Sequence, residues 1–120
     1  MAIFDAETLD ELRNRPEIAI RTQQHPRSAI TIWVVVSGMD VFVRSVRGTK
    51  GRWYNDLARG GSATLEFDGK QLSVQAVPAT DADSVERASQ EFLSKYRSSS
   101  HAASIVRPEV LPTTIRLEPR

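Results

Sequence analysis

At 120 residues, with 40% hydrophobic and 26% charged residues, the chain has the composition of one soluble globular domain spanning residues 1–120. Zero cysteines excludes disulfides, thiolate catalysis and Cys-ligated metals, and a formal charge of +1 gives no bulk signal for nucleic acid. No apolar run reaches the roughly 20 residues of a membrane helix, since even residues 30–36 include Thr31.

The N-terminal stretch MAIFDAETLDEL carries acidic residues where a secretory signal would be positive, so it is expected to belong to the mature fold of a cytoplasmic protein. Asp5 is a fitting N-cap for a helix over Ala6–Arg13, with Phe4 and Leu9 as a hydrophobic staple and Leu9 and Leu12 facing inward. Pro16 ends that helix. Ile18 and Ile20 then alternate with Ala19 and Arg21 as a strand does, and Gln23–Ser28 reads as a turn. The next strand, Ala29–Val36, is apolar on both faces and is expected to be central.

A type II′ turn at Gly38-Met39 would set Val36 opposite Val41, Val34 opposite Val43 and Trp33 opposite Arg44, the last a candidate cation–π pair. The strand from Val41 runs into a loop with Arg44, Arg47, Lys50 and Arg52 around Gly48 and Gly51. Trp53, Tyr54 and Leu57 then open a short helix that Gly60-Gly61 stops. A strand feeding a glycine-relaxed cationic loop suits a phosphate, although neither GxxxxGK[ST] nor GxGxxG is present. The same charges read equally as a solvated rim, and Trp33, Trp53 and Tyr54 as core.

Asp68-Gly69 is the strongest hairpin signal. A type I′ turn there pairs Leu65 with Leu72 and Ala63 with Val74 on one face, Glu66 with Gln71 and Thr64 with Ser73 on the other. A helix over Asp81 to Tyr96 or Arg97, capped by Thr80 with Asp83 three residues on, carries the stripe Val85, Ala88, Phe92 and Tyr96, with Leu93 beside it. Glu86, Arg87, Glu91 and Lys95 form its solvated side. Ser98–Ser100 is a flexible exit, residues 101–111 are irregular or one helical turn, and Thr113–Glu118 is the last strand. About six strands in hairpin order imply a mainly antiparallel α+β fold closed as a barrel or a strongly curled sheet. His25 and His101 lie in loops without a partner carboxylate at motif spacing, so neither a catalytic triad nor a metal centre is read.

This order, with SVRGTKG followed by WYNDL and Arg107 followed by LPTTIRLEP, resembles the split β-barrel superfamily that binds FMN or the deazaflavin coenzyme F-420. That superfamily includes pyridoxamine phosphate oxidases, deazaflavin-dependent nitroreductases and small bacterial proteins of uncharacterised function. The resemblance implies a six-stranded split barrel and a homodimer with the cofactor ring between subunits. It assigns the cofactor phosphate to Arg44, Ser45, Arg47, Thr49 and Lys50, with Trp53 and Tyr54 as pocket walls. The oxidase branch keeps an Asn-Pro where this chain has Ala58-Arg59-Gly60-Gly61.

Three functions follow as expectations. The first is a flavin- or deazaflavin-dependent oxidoreductase acting on a small molecule, in which the cofactor carries the chemistry and no catalytic side chain is assigned. The second is a non-catalytic carrier or sensor of the same ligand. The third, disfavoured by the near-zero net charge, is a single-stranded nucleic-acid barrel that stacks bases on its aromatic residues.

Overall fold

The computed structural model describes residues 3–120. Its first helix, α1 (Ala6–Asn14), is capped as the sequence predicts: the Asp5 carboxylate accepts the Thr8 N–H at 2.8 Å, which holds Asp5 below the ordinary carboxylate range. Phe4, Leu9 and Leu12 are buried in one cluster with β1 (Ile18–Thr22).

The main departure concerns the segment expected to be one central strand. It breaks into β2 (Ile30–Ile32) and β3 (Val35–Ser37), separated by Trp33-Val34. With β4 (Asp40–Val43), β5 (Gly61–Phe67), β6 (Lys70–Pro78) and β7 (Ile115–Pro119), these form one antiparallel sheet in the order β2-β1-β5-β6-β7-β4-β3. The count is therefore seven rather than six, and the two halves of the broken segment are the two edges of the sheet. Three peptide units join Ile32 to Val35 and reach at most about 11 Å. This tether brings the edges together, so the sheet curls into a half-barrel.

Two residues missing from a ladder leave peptide groups to satisfy, and the C-terminal end of the long helix α3 (Ala82–Lys95) supplies the partners. The Val34 N–H donates to the Tyr96 hydroxyl at 3.2 Å. The Val34 carbonyl accepts from Lys95 Nζ at 2.6 Å and lies 3.1 Å from the Tyr96 hydroxyl, which also reaches the Pro16 carbonyl at 2.8 Å. Lys95 further donates to the Leu12 carbonyl at 2.9 Å, one of the last-turn carbonyls of α1 that has no intrahelical partner. Lys95 is thus turned inward rather than solvated. Burial pushes the Tyr96 phenol up to about 12 and the Lys95 amine down to about 8.

The β3–β4 hairpin turns at Gly38, whose φ of +62° fits the expected II′ turn, and Val36 pairs with Val41. The ladder begins at Val35 opposite Phe42, so the expected Val34–Val43 pair lies outside it. The Trp33–Arg44 contact does not form either: Trp33 stacks on Tyr96, and the Arg44 guanidinium lies 5.4 Å from the centre of the Phe92 ring. The β5–β6 hairpin matches its predicted register throughout, with positive φ at both Asp68 and Gly69. In α3 the cap is Asp81, which accepts the Ser84 N–H at 3.0 Å, rather than Thr80. Ser84, Ala88 and Phe92 are buried four apart. Leu93, about 100° further round the helix, is 47% exposed.

Apolar residues from β1, β4, β5, β6 and β7 fill the inside of the curl. A second cluster packs Phe92 and Tyr96 of α3 with Val35, Phe42, Ile105 and Val110 on the outer face. No helix among the described residues is long and apolar enough to cross a membrane.

Two predictions follow from the strand break. Tyr96→Phe removes the acceptor of the buried Val34 N–H and should lower unfolding stability by about 1–3 kcal/mol in urea titrations. Lys95 has a folded pKa near 8 against an ordinary 10.5, so the unfolded chain holds the extra proton between those values and stability should rise with pH across that window. Unfolding at pH 7 and pH 10 should show wild type gaining relative to Lys95→Met.

Candidate functional site

Where the barrel edges meet, a cavity of about 620 Å³ opens between β2, the strand break and the loop after β4. Its apolar wall is Ile30, Ile32, Trp33, Trp53 and Ile105. Its polar wall is Arg44, Ser45, Arg47 and Arg52, with Ser104 and His101 from the segment after α3 and Glu17 as the one carboxylate. A cavity of this size, mostly apolar with a few convergent polar groups, has the general make-up of a small-molecule site.

The polar wall is built by two glycines and an asparagine. Gly48, at φ +63°, returns its N–H to the Ser45 carbonyl at 2.8 Å and starts a 3-10 turn over Gly48–Lys50. The helix α2 (Arg52–Leu57) follows, and Asn55 ties it back by donating from Nδ2 to the carbonyls of Thr49 (3.0 Å) and Gly51 (2.9 Å). Gly51 faces Ser45 so closely that a β-carbon there would overlap the Ser45 hydroxyl. The Ser45 N–H donates to the Thr113 hydroxyl at 3.0 Å, fixing the start of the loop to the segment before β7.

The three cavity arginines differ in how far they are committed. Arg44 is 2% exposed, and its guanidinium donates to the Thr114 hydroxyl at 2.8 Å and to the carbonyls of Val85 (2.8 Å) and Ile105 (3.3 Å). All its partners are neutral, and burial pushes its pKa down to about 10, so the charge persists at neutral pH without a counter-ion. Arg52 reaches the carbonyl and hydroxyl of Ser28 at 3.3 and 3.2 Å, while its buried Nε has no partner. Arg47 is exposed and makes neither a side-chain hydrogen bond nor an ion pair among the described residues. The ion pairs of the structure lie elsewhere, as in Arg21–Glu66, Arg87–Asp40 and Arg116–Glu118.

Of the residues that the resemblance assigns to a cofactor, Arg44, Ser45, Arg47 and Trp53 line the cavity. Thr49 and Lys50 are exposed outside it, and Tyr54 is half-buried against the inner core. Sequence reasoning missed His101 and Ser104, which arrive through a 3-10 turn (Ala102–Val106) in a stretch without periodicity. It also missed the contact of His25 Nδ1 with Asp56 at 2.6 Å, in which Asp56 accepts from Thr22 as well; neither His25 nor Asp56 lines the cavity. Among the described residues no cluster of His, Asp or Glu could hold a metal ion.

A family model described as an uncharacterised protein conserved in bacteria (DUF2255) matches residues 8–117, which include every residue lining the cavity. No curated protein matches the chain.

Gly51→Ala should force Ser45 and the basic loop apart. The expected loss is about 1–3 kcal/mol of unfolding stability, read by denaturant titration; an unchanged midpoint would show that the loop yields freely at this point.

Proposed function

The chain belongs to the DUF2255 family conserved in bacteria, and within it we propose a flavin- or deazaflavin-binding oxidoreductase of the split-barrel type, working as a cytoplasmic homodimer. One observation carries the reading: three guanidinium groups without a carboxylate partner among the described residues line, with Trp33 and Trp53, a single cavity of about 620 Å³. Cations call for an anion, and aromatic walls call for a flat aromatic ring. FMN and the deazaflavin coenzyme carry both.

The residues fit such a group. Arg47 has its donors free, Arg52 holds an orphaned Nε–H, and Ser104 lines the same wall, with Ser45 buried against Gly51. These groups would hold the phosphate, and Arg44 would favour it through charge without direct contact. Ile30, Ile32, Trp53 and Ile105 would keep water from the ring. When bound, the flavin-type ring supplies hydride transfer, and the protein supplies binding, orientation and a dry wall.

A carrier or sensor is the second reading, supported by the make-up of the wall, which offers cations, hydroxyls and aromatic surfaces suited to binding. Turnover of bound cofactor by NAD(P)H and an acceptor separates the two. A single-stranded nucleic-acid barrel is disfavoured by the formal charge of +1, and of its stacking residues Trp53 is only 5% exposed.

The test is an absorbance spectrum of the purified protein, then fluorescence titration with FMN and with the deazaflavin coenzyme. One of the two is expected to bind at micromolar affinity or better. Arg47→Ala and Arg52→Ala should each weaken it roughly ten- to a hundredfold, the worth of one charge-assisted bond. Lys50→Ala, outside the cavity, should leave it nearly unchanged. Binding of neither cofactor would remove the reading.

A further inference from the structure

We propose that the cavity-facing surface of Trp33 is the platform on which a planar, electron-poor heteroaromatic ring stacks, with Tyr96 backing it from behind. This rests on the reading that the cavity takes a ring-and-phosphate cofactor, and it names the side chain that orients the ring.

Trp33 sits in the strand break, where it is free of ladder constraints, and is half-buried in the cavity wall. Its indole lies parallel to the Tyr96 ring, with centroids 3.9 Å apart and planes within 4°. One face is therefore covered, and what the indole offers the cavity is the opposite face and the edge. The rings behind are fixed. Tyr96 is 8% exposed, packs beside Phe92 at 6.2 Å, and is held at its hydroxyl by Val34 and Pro16. A ring entering the cavity thus meets an ordered aromatic surface, so little side-chain freedom is lost on stacking.

The other two aromatic candidates are worse placed. Trp53 is 5% exposed and belongs to the inner core, and Tyr54 does not line the cavity. Indole is electron-rich, and an offset stack against an electron-poor ring is favourable beyond the area it buries. The cations come from the loop after β4 and the start of α2, whereas the platform belongs to the strand break. Ring and anion are consequently held by separate elements, and one can be altered without the other.

The experiment uses that separation. In wild type, binding of FMN or the deazaflavin coenzyme should quench tryptophan emission. Trp33→Leu should weaken that cofactor roughly ten- to a hundredfold, the worth of one aromatic stack, while Trp33→Phe, which keeps a ring, should lose much less. Inorganic pyrophosphate, a probe of the anion half, should compete equally well for both variants. Cofactor affinity in Trp33→Leu equal to wild type, or wild-type binding without tryptophan quenching, would overturn the platform and leave the cofactor reading standing. Failure of wild type to bind either cofactor would overturn both.

Discussion

The structure depends on two side chains reaching the backbone of one residue, Val34. Val34 has left the ladder, so its N–H and C=O must find partners elsewhere or cost about 1–3 kcal/mol each as buried unpaired groups. The Tyr96 hydroxyl accepts from the N–H, and Lys95 donates to the carbonyl. Those bonds make it tolerable for one apolar segment to serve as both edges of the sheet. They also fix α3 against the strand break and, through the Leu12 carbonyl, against the end of α1. Helices and curl are set by the same few atoms.

The cavity is a consequence of the break. An unbroken strand would continue the sheet and turn Trp33 by strand alternation alone; the break instead lays its indole on Tyr96 and leaves a gap beside the loop after β4. On the far side, Arg44 plays the part that Lys95 plays at the break. It binds carbonyls of α3 and of the turn at Ala102–Val106, and the hydroxyl of Thr114 before β7. Two cations bonded mainly to neutral backbone oxygens therefore hold α3 to the barrel near its two ends.

Local signals in the sequence carried far. The caps and turns with one chemical solution, Asp5, Gly38 and Asp68-Gly69, sit where they were expected, and the β5–β6 register is correct to the residue because polar and apolar positions sort only one way. The N-cap of α3 slipped by one because Thr80 and Asp81 are both good caps, and only the approach of the Ser84 N–H selects between them. The broken strand was hidden for a different reason. Ile30 to Val36 is apolar but for Thr31, and nothing in its pattern marks Trp33-Val34; the determinant lies in Lys95 and Tyr96, more than sixty residues on. Of the basic loop, its place in the wall was legible but the facing of each side chain was not. The turn at Gly48 sends Arg47 toward the cavity and Thr49 and Lys50 outward, a rotation that spacing cannot express.

The charge in the cavity is best understood from its partners. The chain is nearly neutral overall, with 16 basic and 15 acidic residues, so most cations can find an anion. Arg13, Arg15, Arg21, Arg87, Arg107 and Arg116 do, outside the cavity. Among the described residues Arg44, Arg47 and Arg52 do not, although Arg44 is almost fully buried and its lowered pKa records the cost of keeping that charge from water. Neutral carbonyls satisfy its hydrogen bonds but leave its field uncompensated, and in a low-dielectric wall that field extends into the cavity. A dianionic phosphate beside Arg47 and Arg52 would supply counter-charge equal to two of the three. The bonds of Arg44 shape the wall, and under the proposed function Arg44 would be a positioning residue whose charge disfavours ligands that lack an anion.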